Sequence, residues 1–144
     1  MKTEETRYMN ICVCIDDNLG MSFFGKRQSR DKKLIERLLS HKKYKKVYIS
    51  AYSIPLFAES EDARVCVTRD FSEAGEEDIC FFELEHITEY DKDIKGLVIY
   101  RWNRAYPSDK KFPYSPEDKG FTLVSTDEFC GSSHDRITEE IWTR

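Results

Sequence analysis

The chain has 144 residues, the length of one domain, of which 40% are hydrophobic, 13% aromatic and 35% charged. That mixture excludes a collagenous repeat, a disordered tail and a membrane-embedded chain, and no apolar run approaches the roughly 20 residues that span a bilayer. The formal charge of −4 is unevenly laid out, with Lys and Arg crowding residues 26–46 and Asp and Glu crowding residues 59–93.

The first stretch, MKTEET, is too polar for a secretory signal, so the sequence reads as a soluble, cytoplasmic protein with no membrane partner. One domain over 1–144 is expected, with 1–8 as a loose extension before Met9. Tyr8 to Ile15 (YMNICVCI) is apolar and β-branched enough for a buried first strand. Asp16, Asp17, Asn18 and Gly20 then supply turn chemistry, and a loop runs on through Gly25. Ser29 stands before an amphipathic run as a helix N-cap, which puts Asp31 in the first turn, where the helix dipole favours a carboxylate.

Leu34, Ile35, Leu38 and Leu39 recur at helical spacing with cations between them. That is the pattern of an amphipathic helix with a solvated charged side, and a nucleic-acid-binding face over 26–46 is the alternative. Lys45 to Ser50 reads as a second strand, followed by a short helix or turn around Ile54 to Glu59. Ala63 to Arg69 is a third strand. Ser72 to Glu77 has room for a turn or two of helix before a fourth strand, Asp78 to Phe82. Lys95 to Trp102 is a fifth, and Phe121 to Ser125 and Ile137 to Trp142 are two late strands joined by a polar loop. Strands alternating with helices early and bare strands late predict a mostly parallel sheet with an antiparallel C-terminal hairpin.

Five cysteines, an odd and scattered set, do not read as a disulfide framework. Cys12 and Cys14 alternate along one strand and share a face, as two metal ligands would. No second Cys or His pair follows at zinc spacing, so packing is the favoured reading and no metal is expected. His134 has Asp135 beside it and could act as a base toward Cys130 or Ser132, although adjacency in sequence is poor support for a triad assembled in space.

The order of elements resembles the dihydrofolate reductase family. A strand ending in Asp16, then Asn18-Leu19-Gly20-Met21, is similar to that family's first strand and the start of its mobile loop. Asp31 falls near the family's pterin-binding carboxylate, with Ile35 at the position of a pocket aromatic. KKVYISAYS resembles the second strand and its turn, with Ser53 in place of a cofactor-contacting threonine. GLVIYRWNRAYPSDKKFP, with Asp109, Phe112 and Pro113, resembles the penultimate segment, and FTLVSTDEF with HDRITEEIWTR the terminal hairpin. The resemblance implies an α/β fold of three layers, with a mostly parallel central sheet, an antiparallel C-terminal hairpin and helices on both faces.

Departures from the family pattern concentrate where it binds NADPH. A glycine pair that lets backbone N–H groups reach a diphosphate is replaced by Glu83-Leu84, and a carboxylate there repels phosphate. The glycine-arginine pair after the second strand is Ser50-Ala51, and 68–78 is too short for the usual strand and helix around the adenosine. NADPH is therefore not expected as a cofactor. On the substrate side the loop before the helix reads GKRQSRD, which adds Lys26, Arg27 and Arg30. Tyr100 stands where the family has a hydroxyl that bonds the pterin-binding carboxylate.

The expected site has Asp31 in the catalytic or ligand-binding role, with Arg27 and Gln28 as an anion-recognition cluster and Trp102 stacking on a ligand ring. Cys12, Ile35, Ser53, Phe82 and Tyr100 complete the ligand-binding set. The function expected from the sequence is a small-molecule-binding domain, for a pterin- or nucleotide-like ligand, without NADPH-dependent reductase activity. A reductase holding its nicotinamide cofactor in an altered way is the alternative.

Overall fold

The computed structural model describes residues 8–144, so the expected loose extension lies, apart from Tyr8, outside the described residues. Ten strands follow in chain order: β1 (Met9–Ile15), β2 (Gly20–Phe23), β3 (Lys26–Arg27), β4 (Val47–Ile49), β5 (Val65–Val67), β6 (Ile79–Phe81), β7 (Ile94–Arg101), β8 (Lys110–Lys111), β9 (Thr122–Phe129) and β10 (Ile137–Thr143). Seven of them form one sheet in the order β5-β4-β6-β1-β7-β10-β9. β5, β4, β6, β1 and β7 are mutually parallel, and β10 runs antiparallel to both β7 and β9.

β1 lies between β6 and β7, with Ile11 opposite Cys80 on one side and Leu97 on the other. A parallel strand with neighbours on both sides and both faces covered is mostly apolar, which is why MNICVCI does not alternate with polar residues; its one polar side chain, Asn10, donates to the carbonyls of Glu76 and Asp78. Its alternating side chains feed two cores. Ile11, Val13 and Ile15 join Leu97, Ile99, Phe71, Phe82 and Phe112 on one face. Cys12 joins Val98, Tyr100, Ile137 and the inner stripe of α1 (Lys32–Ser40) on the other. The four apolar residues that predicted that helix, Leu34, Ile35, Leu38 and Leu39, are its buried residues. α2 (Ile54–Phe57), flanked by two 3₁₀ turns, adds Phe57 to the same core. On the opposite face the helical cover consists of 3₁₀ turns at Phe71–Glu73, Ile87–Asp93 and Pro116–Lys119.

Two expectations are corrected here. The N-cap of α1 is Asp31, not Ser29: its backbone is extended (φ −152°, ψ 125°) and its carboxylate accepts from the backbone N–H groups of Lys33 and Leu34. An aspartate two residues closer to the apolar stripe wins the cap because its oxygens reach the first free amides. The loop expected through Gly25 is instead a hairpin, β2–β3, which joins β8 in a second, three-stranded sheet. Its two-residue turn places Phe24 (φ 51°) and Gly25 (φ 71°) in the left-handed region, the conformation of a type I′ turn. Phenylalanine in a place usually held by Asn, Asp or Gly hides that turn from sequence reading. The Asp109 carboxylate supports it by accepting from the Phe24 N–H at 3.1 Å.

Candidate functional site

Arg27, Gln28, Asp31, Ile35, Phe82 and Trp102, six of the expected site residues, line one crevice beside the C-terminal ends of β1 and β6, with the loop before α1 as its lip. The crevice is tight, with a cavity volume of about 20 Å³, on the order of a single water. Two buried carboxylates, Asp31 and Glu83, stand among its walls, and their partners define the site.

The Asp31 side chain has no exposed surface. One oxygen accepts from the N–H of Lys33 (2.9 Å), the N–H of Ser132 (2.9 Å) and the Ser132 hydroxyl (3.1 Å). The other accepts from the N–H of Ser133 (2.8 Å) and from His134 Nδ1 (2.9 Å). Burial pushes this carboxyl up, but the hydrogen bonds from Ser132, His134 and Ser133 outweigh it and hold Asp31 well below the usual carboxylate range. The 131–135 loop can come this close because residue 131 is glycine: a Cβ there would collide with the Asp31 carboxylate. Asp31 therefore joins the start of α1 to a loop 100 residues away. Its hydrogen-bonding capacity is met by the chain itself.

His134 continues the arrangement outward. Its Nε2 lies 3.0 Å from both Ser29 Oγ and the Tyr106 hydroxyl, and its ring stacks on Trp102 at a centroid distance of 4.5 Å. The expected partners are thus replaced. Cys130 is exposed, Ser132 turns its hydroxyl to Asp31, and the acid beside the imidazole is Asp31 rather than the exposed Asp135.

At the other end of the crevice the Arg27 guanidinium meets Glu83 side-on, Nε to Oε1 at 2.8 Å and Nη2 to Oε2 at 3.0 Å. Ser53 donates its hydroxyl to Glu83 Oε2 at 2.6 Å. Arg27 also donates to the Tyr52 carbonyl at 3.1 Å and lies 4.3 Å above the Tyr52 ring. Its pKa rises, chiefly through the hydrogen bonds to Glu83. A fork of this geometry is the strongest neutralisation a buried carboxylate receives from one side chain. The isolated negative charge that the sequence suggested at Glu83 is therefore an ion pair, and the residues expected to grip an anion (Arg27) and a small-molecule ligand (Ser53) are bound to Glu83 instead. Gln28 Oε1, buried and lining the same crevice, has no partner among the described residues.

Two expected residues lie elsewhere. Cys12 is fully buried in the core beneath α1. Tyr100, expected to bond Asp31, donates instead to Glu139 Oε2 at 2.8 Å, in a cluster with Arg37 (2.9 Å) and His41 (2.7 Å). Burial, then the charges around Cys12 and Glu139, push the Tyr100 phenol up. Burial raises Glu139 too, yet the bonds from Arg37, His41 and Tyr100 leave it below its ordinary value. Sequence reading missed this cluster and the role of Tyr52, because each contact joins segments far apart in the chain. The one local signal was at Glu83, a charged residue two positions past the apolar β6, whereas Glu139 lies inside β10.

Beyond Asp31 a wider cleft opens between α1 and α2, lined by Arg30, Lys32, Ile35, Pro55, Leu56 and Ser60 among others. Lys32 and Glu59 approach across it at 3.3 Å, both exposed. Among the described residues no ion pair claims Arg30, and no group of three His, Cys, Asp or Glu side chains is placed to hold a metal ion.

No family profile matches the sequence, and no curated protein does. Among solved structures the fold is similar to that of dihydrofolate reductase from Enterococcus faecalis, complexed with NADP(H) and RAB-propyl. The TM-score is 0.63 over 95% of this chain and 96% of that one, at 9% identity. The likeness is one of architecture: the chain has a dihydrofolate reductase-like α/β fold.

Proposed function

We propose that this chain uses its dihydrofolate reductase-like fold to bind a small molecule in the cleft between α1 and α2, and that it does not carry out NADPH-dependent reduction. The observation that carries the reading is the Arg27–Glu83–Ser53 group. In the resemblance drawn from sequence, Glu83-Leu84 aligns with the glycine pair beside the cofactor diphosphate, and Ser53 with a cofactor-contacting threonine. Here a guanidinium and a carboxylate fill that approach and hold each other at 2.8 Å and 3.0 Å. A diphosphate would have to displace a buried ion pair and leave a carboxylate facing its own charge. No side chain donates hydride, so without a nicotinamide the fold has no hydride source for such a reduction.

The same logic shifts the ligand away from Asp31. A pterin hydrogen-bonding to that carboxylate would have to displace Ser132, Ser133 or His134 from bonds of 2.8–2.9 Å. The neighbouring cleft offers apolar walls in Ile35, Pro55 and Leu56 and cations in Arg30 and Lys32, which suits a flat apolar molecule carrying an anionic group. The nucleic-acid alternative finds less support. Three cations of the basic stretch, Arg27, Lys32 and Arg37, are already paired with Glu83, Glu59 and Glu139. Titration of the purified protein with NADPH and then with dihydrofolate, followed by the fluorescence of Trp102 and Trp142, tests the reading. Silence to NADPH up to millimolar concentration is expected. Saturable NADPH binding in the micromolar range would overturn it.

A further inference from the structure

We propose that Ser29, His134 and Asp31 form a hydrolytic triad in which Ser29 Oγ is the nucleophile toward esters of small apolar carboxylic acids. Three segments distant in sequence or differing in structure, the loop before α1, the cap of α1 and the 131–135 loop, place the three side chains in line. Ser29 Oγ lies 3.0 Å from His134 Nε2, and His134 Nδ1 lies 2.9 Å from Asp31 Oδ2. Because Nδ1 faces a carboxylate that can only accept, it carries the proton, and Nε2 presents its lone pair to the hydroxyls of Ser29 and Tyr106, each 3.0 Å away. Asp31 and His134 are both buried and the imidazole is pinned against Trp102, so the base is fixed in tautomer and in orientation.

The surroundings fit the reaction. Tyr106 OH stands 3.4 Å from Ser29 Oγ and 3.0 Å from Nε2, so a phenol donor is at hand as the serine oxygen gains charge. Ser29 is only partly buried and opens on the crevice, whose walls include Met21, Leu34, Leu56, Phe81 and Trp102. Arg30, next in the chain, lines both the crevice and the adjoining cleft. In the first half-reaction Ser29 Oγ bonds to the acyl carbon while its proton passes to Nε2. The tetrahedral adduct then breaks its bond to the leaving alcohol, which takes that proton. In the second, a water gives a proton to Nε2 and attacks the acyl-serine, and the carboxylic acid leaves as Ser29 recovers its proton. A purely structural clamp would use the same hydrogen bonds but would not make Ser29 reactive.

This inference does not depend on the cofactor reading, and covalent labelling tests it without NADPH. The purified full chain is treated with a fluorophosphonate, and the modified peptide is located by mass spectrometry. A single adduct on Ser29 is expected, absent from Ser29→Ala, with p-nitrophenyl acetate turnover falling by about 100-fold or more in that variant. No adduct, an adduct that survives Ser29→Ala, or equal turnover by both proteins would overturn the proposal. A second variant guards against a loss of fold. The thiol of Ser29→Cys, beside a fixed base, is expected to be alkylated about tenfold faster than the exposed Cys130 of the same molecule. Equal rates for the two thiols would overturn the proposal as well.

Discussion

Asp31 and Glu83 face the same crevice from its two ends, each less than a tenth exposed, and the chain satisfies them by different means. Asp31 is held by backbone N–H groups at a helix start and in one loop, together with hydroxyls and an imidazole. Glu83 is held by one guanidinium and one hydroxyl, all from side chains. A carboxylate bound by main-chain dipoles depends on the path of the backbone, so to disturb it is to disturb the helix start and the loop together. A carboxylate bound by a side chain depends on a single residue, and a neutral pair of similar volume can replace the ion pair at little cost. The first is a joint of the fold. The second is a pair that substitution can remove.

The largest expected effect tests the first half of that contrast. Asp31→Ala removes the cap and leaves the N–H groups of Ser132 and Ser133 and the buried His134 Nδ1 without their acceptor, and should lower stability by about 3–5 kcal/mol in urea denaturation. A loss below about 1 kcal/mol would mean that the loop finds other partners. Arg27→Met or Glu83→Gln should each cost about 2–3 kcal/mol, whereas the double variant should cost clearly less than their sum. Strict additivity would break the pairing argument. Gly131→Ala should cost about 1–3 kcal/mol, because a Cβ there must push the loop away from Asp31. At the small end, Lys32→Ala removes an exposed ion pair and should change stability by less than about 0.5 kcal/mol.

Acid sharpens the comparison. Asp31 and Glu139 both titrate below their ordinary values in the folded protein, each because hydrogen bonds to the charged form outweigh burial. The unfolded chain therefore takes up their protons first as pH falls. The stability they contribute is complete above about pH 5 and declines as pH drops through about 4 and below. Thermal midpoints that stay level from pH 7 to pH 3 would contradict this.

Much of the fold was legible because it is written in local pattern. The apolar run Ile11–Ile15 of β1 pointed to a central parallel strand, and the 3.6-residue spacing of Leu34, Ile35, Leu38 and Leu39 to a helix lying on a sheet. The β2–β3 hairpin was not legible, since its turn carries Phe24 where an Asn would have announced it. The site was legible as a neighbourhood but not as chemistry. Six of the nine residues singled out line one crevice, yet what the two charged ones do is decided by partners 56 and 103 positions away: Glu83 for Arg27, His134 for Asp31. The excess of cations before α1 gave no sign that one of them closes on Glu83, because charge composition does not reveal pairing.

The most direct test of the central claim is to titrate isotope-labelled protein with NADPH while following the backbone amides of Ser53, Glu83 and Leu84. The closed Arg27–Glu83–Ser53 group predicts no saturable shift at these amides. Shifts there that saturate at micromolar NADPH would show that the ion pair gives way to a diphosphate, and would contradict the account.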